Sequence, residues 1–451
     1  MTRETSKTPS VGDALQLAAP ASLAAMATPL LGVADVWILG HSSRPLDIAA
    51  VGLGSVVFSL IYWTFGFIRM SVAGLTAQSV GANDMPEVYS VLFRGLALGT
   101  AIGLSLTLLQ WPIGILAFSV MELDTQASTD TLSAAKAYFG TRIWAAPFAI
   151  ATYAFFGWLS AQKRTDLLMV ASLSMTFLNI ALNWLFVYQF NMGASGVALG
   201  TAFSEAFGFA LSGAFSLYLM RNGGGVGQHF SVAKIVERSA LARTLVVNRD
   251  IFIRTLLLSI SFAWFTQRSG TFGDTTLAAN QILLQLFLFT GLALDCTAIA
   301  AETLIGQATG TNDRRDYKRQ IMSAIKATSM PALLLAVVFC LIYGFFGENL
   351  AGALTKDAAI SAESVRFLPW VIVSPLVLVG AFQLDGIFIG ATRSQEMRNA
   401  MIACVLFFIP SSLLLSNQFG NHGLWAAFTG YFILRAVSLL YYLPRIVTRP
   451  A

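Results

Sequence analysis

The sequence predicts an all-α integral membrane protein with twelve transmembrane helices in two pseudo-symmetric six-helix lobes. Three observations carry this prediction. The chain is 56% hydrophobic and only 11% charged, with a mean hydropathy of +0.69, against about 25% charged in an ordinary soluble domain. Between Val11 and Arg445 it holds twelve continuous apolar runs separated by short polar breaks, and about 20 apolar residues are what a roughly 30 Å hydrocarbon core asks of a helix. A β-barrel would alternate in segments of about ten residues instead. The chain also repeats itself: "AQSVGAND" at Ala77 to Asp84 returns as "GQATGTND" at Gly306 to Asp313, an offset of 229 residues.

The expected helices, α1 to α12, cover 15–40, 46–74, 90–119, 133–161, 167–189, 194–220, 248–270, 276–303, 321–346, 361–390, 398–416 and 422–444. The run of α1 is too long for a signal-peptide core and no small-residue cleavage pattern follows it, so the N-terminus is expected to be retained. Pro20 and Pro29 lie in α1; each lacks the N–H that a helix interior uses, which makes them two candidate bend points. Asp35 follows in "PLLGVADVWILG", otherwise apolar apart from small residues and Trp37. The runs of α2 and α3 flank the first copy of the repeated octapeptide. Tyr138 and Tyr153 fall in α4 and offer aromatic surface for a cation, although aromatics in membrane helices more commonly pack or anchor the interface. In α5, Asn179 and Asn183 are four apart and share a face, as do Thr201 and Glu205 in α6.

The longest polar break, opening with "NGGGVGQHF", separates α6 from α7. It divides the chain into an N-terminal lobe (1–221), a linker (222–247) and a C-terminal lobe (248–451). The second lobe carries Arg254 in α7, Asp295 and Glu302 in α8, Asp385 in α10 and Arg435 in α12. Mutual neutralisation is the first reading of these charges, with Asp295 and Asp385 as further coupling-ion candidates. The 229-residue offset also carries Gly157 and Arg164, at the end of α4, onto Gly386 and Arg393, at the end of α10. Six helices is an even number, so both halves start on the same side and the repeats are parallel, as in one class of transporters.

Basic residues set the orientation. Arg3, Lys7, Arg94, Lys163, Arg164, Lys234, Arg238, Arg243, Arg249, Arg314, Arg315, Lys318, Arg319, Arg393, Arg398, Arg445 and Arg449 are assigned to the termini and the even-numbered loops, while the odd-numbered loops carry few: Arg44, Lys136, Arg268, Lys356 and Arg366. Both termini and the linker are therefore expected in the cytoplasm. The formal charge of +5 follows from this topology and asks for no nucleic-acid partner. There is no G-x-x-x-x-G-K-[ST] phosphate loop and no loop long enough for an ATPase domain, so transport would draw on a gradient. His41, His229 and His422 sit in loops or at helix ends, which argues against histidine catalysis in the membrane. Cys296, Cys340 and Cys404 fall inside helices without metal-ligand spacing and read as small core residues.

The acid of α1, the paired "GAND" and "GTND", "LNIALNW" in α5, "GASGVALGTAFSE" leading into α6 and "QLDGIFIGATRS" in α10 together resemble the multidrug and toxic compound extrusion (MATE) family. The DinF-type branch looks closest, because the α1 acid follows a helix-bending proline by about four turns. The resemblance covers essentially the whole chain. It implies the MATE fold and an antiporter of the bacterial inner membrane that expels organic cations in exchange for H+ or Na+. It implies no cofactor beyond that ion, a bilayer environment and a monomer. A related flippase moving a lipid or lipid-linked oligosaccharide is the alternative, and would need several Arg or Lys facing the cavity.

A carboxylate in the middle of an isolated helix costs roughly 2.5–3.5 kcal/mol, so acids that persist there face a cavity or a partner. Asp35 stands five residues before Gly40, about 7–8 Å inside the outer boundary at roughly 1.5 Å per residue. It is expected to look into the N-terminal lobe, with an ion pair to Arg69 as the structural alternative. In the family this position is the protonation or substrate site. The family pattern often has an Asp at the second polar position of α5, where this chain has Asn183, which cannot ionise. Glu205 is the candidate to compensate.

Overall fold

A computed structural model describes residues 8–40, 45–124, 128–222, 231–311 and 316–448. Arg3, Lys7, His41, Arg44, His229, Asn312, Asp313, Arg314, Arg315 and Arg449, which enter the topology, histidine and repeat arguments, lie outside the described residues. Among the described residues the regular structure is helical, without strands. Among the described residues, ten helices are long and apolar enough to cross a membrane. They are α1 (Val11–Gly40), α2 (Leu46–Gly81), α3 (Met85–Leu108), α4 (Thr129–Ala161), α5 (Thr165–Gln189), α6 (Gly193–Asn222), α8 (Asp274–Gly310), α9 (Tyr317–Leu354), α10 (Ala358–Gly390) and Ser394–Val447. The last contains both α11 and α12, because the backbone leaves helical geometry at Gly420 (φ 59°, ψ −139°). α7 (Arg238–Gly270) completes the twelve. It is less apolar because Arg249, Asp250, Arg254 and Arg268 fall within it.

The ends differ from the apolar runs in one consistent way. α2 continues to Gly81 and α8 to Gly310, each seven residues beyond the expected end. Hydropathy marks where the bilayer stops, whereas a helix continues as long as its backbone bonds are made.

Breaks within helices have local causes. α1 consists of two arms, Val11–Ala25 and Ala27–Gly40, parted at Met26. Pro29 has no N–H to give the Ala25 carbonyl four residues earlier, so the ladder fails there. Pro20 lies inside the unbroken first arm. Of the two expected bend points, the second is the one at which the helix parts. α2 is interrupted at Gly66, and α3 continues past Leu109 as a further helix, Gln110–Asp124. α4 passes through a 3-10 turn at Ile143–Ala145, and α5 finishes in a π turn at Leu185–Gln189.

The repeat is visible in the backbone. Lys163 (φ 62°) and Thr392 (φ 51°) adopt the same left-handed turn. Each turn is closed alike, by Lys163 N–H donating to Ser160 O and Arg164 N–H to Leu159 O, and by Thr392 N–H donating to Ile389 O and Arg393 N–H to Phe388 O. A Cβ on Gly157 would meet the Arg69 carbonyl oxygen at 2.3 Å, and one on Gly386 the Ala298 carbonyl oxygen at 2.4 Å. The four helices meet backbone to backbone at equivalent places, where no side chain fits.

Contacts divide the chain into two units. One comprises the chain up to Ala19, Ala77–Asn83 and Leu245–Ala451; the other comprises Pro20–Thr76 and Asp84–Thr244. Two short segments of the expected N-terminal lobe thus group with the C-terminal unit. Inside that unit the end of α2 meets the end of α8 reciprocally: a Cβ on Gly81 would lie 2.0 Å from Gln307 O, and one on Gly310 2.0 Å from Gln78 O. The core of this unit is aromatic, built on Phe265, Phe287, Trp425, Phe428 and Tyr431.

In the other unit, Phe58, Phe118, Tyr138 and Phe139 head the core. The described part of the expected linker up to Thr244 belongs to it. Ser231 caps a short turn, Val232–Ile235, and Lys234 Nζ donates to both carboxylate oxygens of Asp84 at 2.7 Å. Arg94 pairs with Glu87 and also donates to the Lys234 and Ile235 carbonyls.

Candidate functional site

Three helices of the Pro20–Thr244 unit bring their polar residues into one chain of hydrogen bonds. Asn183 Nδ2 donates to Asp35 Oδ1 at 2.7 Å and to Asn179 Oδ1 at 2.9 Å. Asn179 Nδ2 donates in turn to Thr201 Oγ1 at 3.0 Å, and the Thr201 hydroxyl closes the chain on Val197 O. The spacing of four in α5 makes this possible, since it stacks the two amides on one face. Asn179 and Asn183 are buried, while Asp35 keeps partial exposure.

Asn183 is held by shape as well as by bonds. A Cβ on Gly200 would stand 2.0 Å from Asn183 Oδ1, so only glycine on α6 leaves room for the amide. That oxygen has no hydrogen-bond partner. Both N–H groups are spent on acceptors, and the oxygen stands idle against Gly200. The hydrogen-bond partner of Asp35 is this neutral amide, and the Arg142 guanidinium also acts on it electrostatically. Tyr188, in the π turn, donates to Ile38 O at 2.8 Å and ties α5 to the same arm of α1.

One helical turn along α6, Glu205 belongs to a second group. Arg142 Nη2 donates to Glu205 Oε1 at 3.2 Å and the Tyr62 hydroxyl donates to Glu205 Oε2 at 3.3 Å. Arg142 Nη1 donates to the Tyr138 hydroxyl at 2.8 Å. The guanidinium also lies over the rings of Phe58, Tyr62 and Tyr138, 4.5, 5.6 and 5.9 Å from their centroids. Tyr153 donates to Tyr62 O at 3.3 Å. The cation that Tyr138 meets is therefore Arg142, and with 1% exposure Tyr138 offers no open face.

Arg142, Tyr62 and Phe58 are residues that sequence reasoning missed. The available signal was an arginine four residues after Tyr138, in the middle of an apolar run where no loop could explain it.

The C-terminal unit holds a separate network. Asp385 Oδ2 accepts from both Arg254 Nη2 and Arg435 Nη2, and the three side chains are almost fully buried. Asp295 interacts electrostatically with both arginines, and Glu302 with Arg254. One acid bridging two arginines from α7 and α12 is the geometry of a structural clamp, since a buried charge persists only when paired. Among the described residues no group of three or more His, Cys, Asp or Glu could hold a metal ion. Cys340 and Cys404 are free thiols, and Cys296 Sγ donates to the Leu292 carbonyl at 3.2 Å. His422 accepts from Trp370 Nε1 at 3.1 Å.

Comparison with known proteins adds four findings. The MatE family model matches residues 20–185 and 251–414. DNA damage-inducible protein F of Escherichia coli (strain K12) is 32% identical over 423 residues, covering 94% of this chain and 90% of that protein. The multidrug export protein MepA of Staphylococcus aureus (strain N315) is 23% identical over 411 residues, covering 89% and 88%. In structure, a crystallised MATE protein in the bent conformation superposes with a TM-score of 0.83 at 19% identity, covering 96% of this chain and 95% of that one.

Proposed function

The chain belongs to the MatE family, and on that premise we propose that it is a secondary active multidrug exporter moving amphipathic organic cations outward in antiport with H+. The observation that carries the reading is the bond from Asn183 to Asp35. Asp35 is the acid of the polar chain, and its neighbour on α5 is an amide, so a single carboxylate takes up and releases the coupling ion. Deprotonated, Asp35 accepts from Asn183 and attracts a cation. Protonated, it loses that attraction. Asp35 rides on the second arm of α1, beyond the break at Met26, so a change in its charge can move that arm without disturbing the first. A ligand shifts two states only by its different affinity for them, and the proton provides that difference at Asp35.

Glu205, Asn179, Asn183 and Thr201 complete the proposed site, and the acids of the C-terminal unit hold its fold. The protein is proposed to act as a monomer in a bacterial inner membrane with both termini in the cytoplasm. The runner-up, a flippase for a lipid or lipid-linked oligosaccharide, is anionic in its cargo and needs uncommitted positive charge. Of the candidate arginines Arg69, Arg254 and Arg435, the last two are engaged by Asp385, which favours the cation.

The test is efflux of a cationic dye from proteoliposomes under an imposed pH gradient and, separately, a Na+ gradient. Efflux is expected with the pH gradient and not with Na+ alone. Efflux with Na+ alone would reassign the ion, and none under either would refute export of such cargo.

A further inference from the structure

We propose that Arg142 is a tethered stand-in for the cargo, holding Glu205 and the rings of Phe58, Tyr62 and Tyr138 until an incoming organic cation displaces it. This rests on the cation-export reading and goes further: it says which contacts the cargo takes over and what it must remove. A positive charge over aromatic faces, with a carboxylate beside it, is how proteins bind organic cations. Here the protein supplies such a cage and fills it itself, with the guanidinium 4.5 Å from the Phe58 ring and 3.2 Å from Glu205.

Two details mark the occupant as replaceable. Its contact with Glu205 is a single hydrogen bond of 3.2 Å, where charge-assisted bonds run to about 2.7–2.9 Å, and its buried Nε has no partner. The helix also leaves α geometry immediately after it, at Ile143–Ala145. A mid-helix 3-10 turn is a common hinge, and it gives the side chain a place to swing from. The charges then set the cargo class. With Arg142 displaced, Glu205 is left as one negative charge beside the rings of Phe58, Tyr62 and Tyr138, so the group accepts one monovalent, ring-bearing cation.

The experiment is equilibrium binding of ethidium to the purified full-length protein, read by fluorescence polarisation, with thermal unfolding as the check on folding. Arg142→Gln removes the competitor and is expected to bind ethidium about tenfold more tightly, the gain when a state closed roughly nine-tenths of the time becomes open. Tyr138→Phe keeps the ring and releases one anchor of Arg142, and is expected to tighten binding by a smaller factor. Folded Arg142→Gln protein with unchanged or weaker affinity overturns the proposal. Where Arg142→Gln does not fold, unchanged affinity in Tyr138→Phe overturns it. If neither the wild type nor any variant binds ethidium, the cation-export reading falls, and the stand-in falls with it.

Discussion

Asp35 and Asp385 are both carboxylates inside the apolar body of one chain, and their partners separate their roles. Asp35 meets one neutral amide; Asp385 meets two arginines. Removing the charge of Asp385 leaves two guanidinium groups facing each other, a loss of about 3–5 kcal/mol for a broken buried pair. Asp385→Asn is therefore expected to lower yield and thermal unfolding temperature sharply, whereas Asp35→Asn should unfold like the wild type. A second prediction concerns the wall behind Asn183. Gly200→Ala places a methyl 2.0 Å from Asn183 Oδ1, and overpacking of this kind costs about 1–3 kcal/mol. The amide must shift away from α6, which disturbs its bond to Asp35, and dye efflux should fall about tenfold with the protein still folded. Asp35, Asn179, Asn183 and Thr201 were legible because polar groups in apolar runs stand out. Arg142 was passed over although it too is a charge inside an apolar run, because nothing in the sequence tells which acid of another helix it meets.

At the scale of elements, the twelve helices were legible and their interruptions only partly so. Apolar runs report the bilayer, and the extensions of α2 and α8 beyond it carry no hydropathy signal. The two prolines of α1 were legible as bends, but which one parts the helix depends on packing. The 3-10 turn of α4 and the π turn of α5 have no sequence mark of their own, and both adjoin site residues. Pro29→Ala restores an N–H for the Ala25 carbonyl and should carry the ladder of α1 through Met26. The unfolding temperature is then expected to hold or rise, while dye efflux slows severalfold because the Asp35 arm loses its independence. Unchanged efflux with a straightened α1 would separate the bend from transport.

For the molecule as a whole, the duplication at 229 residues was legible, and the twin turns at Lys163 and Thr392 are its structural counterpart. The grouping of the chain up to Ala19 and of Ala77–Asn83 with the C-terminal unit was not, since it rests on contacts between segments far apart in sequence. The topology is open to labelling: single cysteines at either terminus or in 222–247 should react only from the cytoplasmic side, and reaction from outside would invert it. The account turns finally on whether one ionisable proton drives the cycle. Asp35→Asn is nearly isosteric and removes only that proton, so dye binding and pH-gradient-driven efflux should be measured on it together in proteoliposomes. The expected result is folded protein that still binds dye, if more weakly, and does not export it. Efflux by Asp35→Asn at near wild-type rates would contradict the account and move the coupling to Glu205, Asp295 or Asp385.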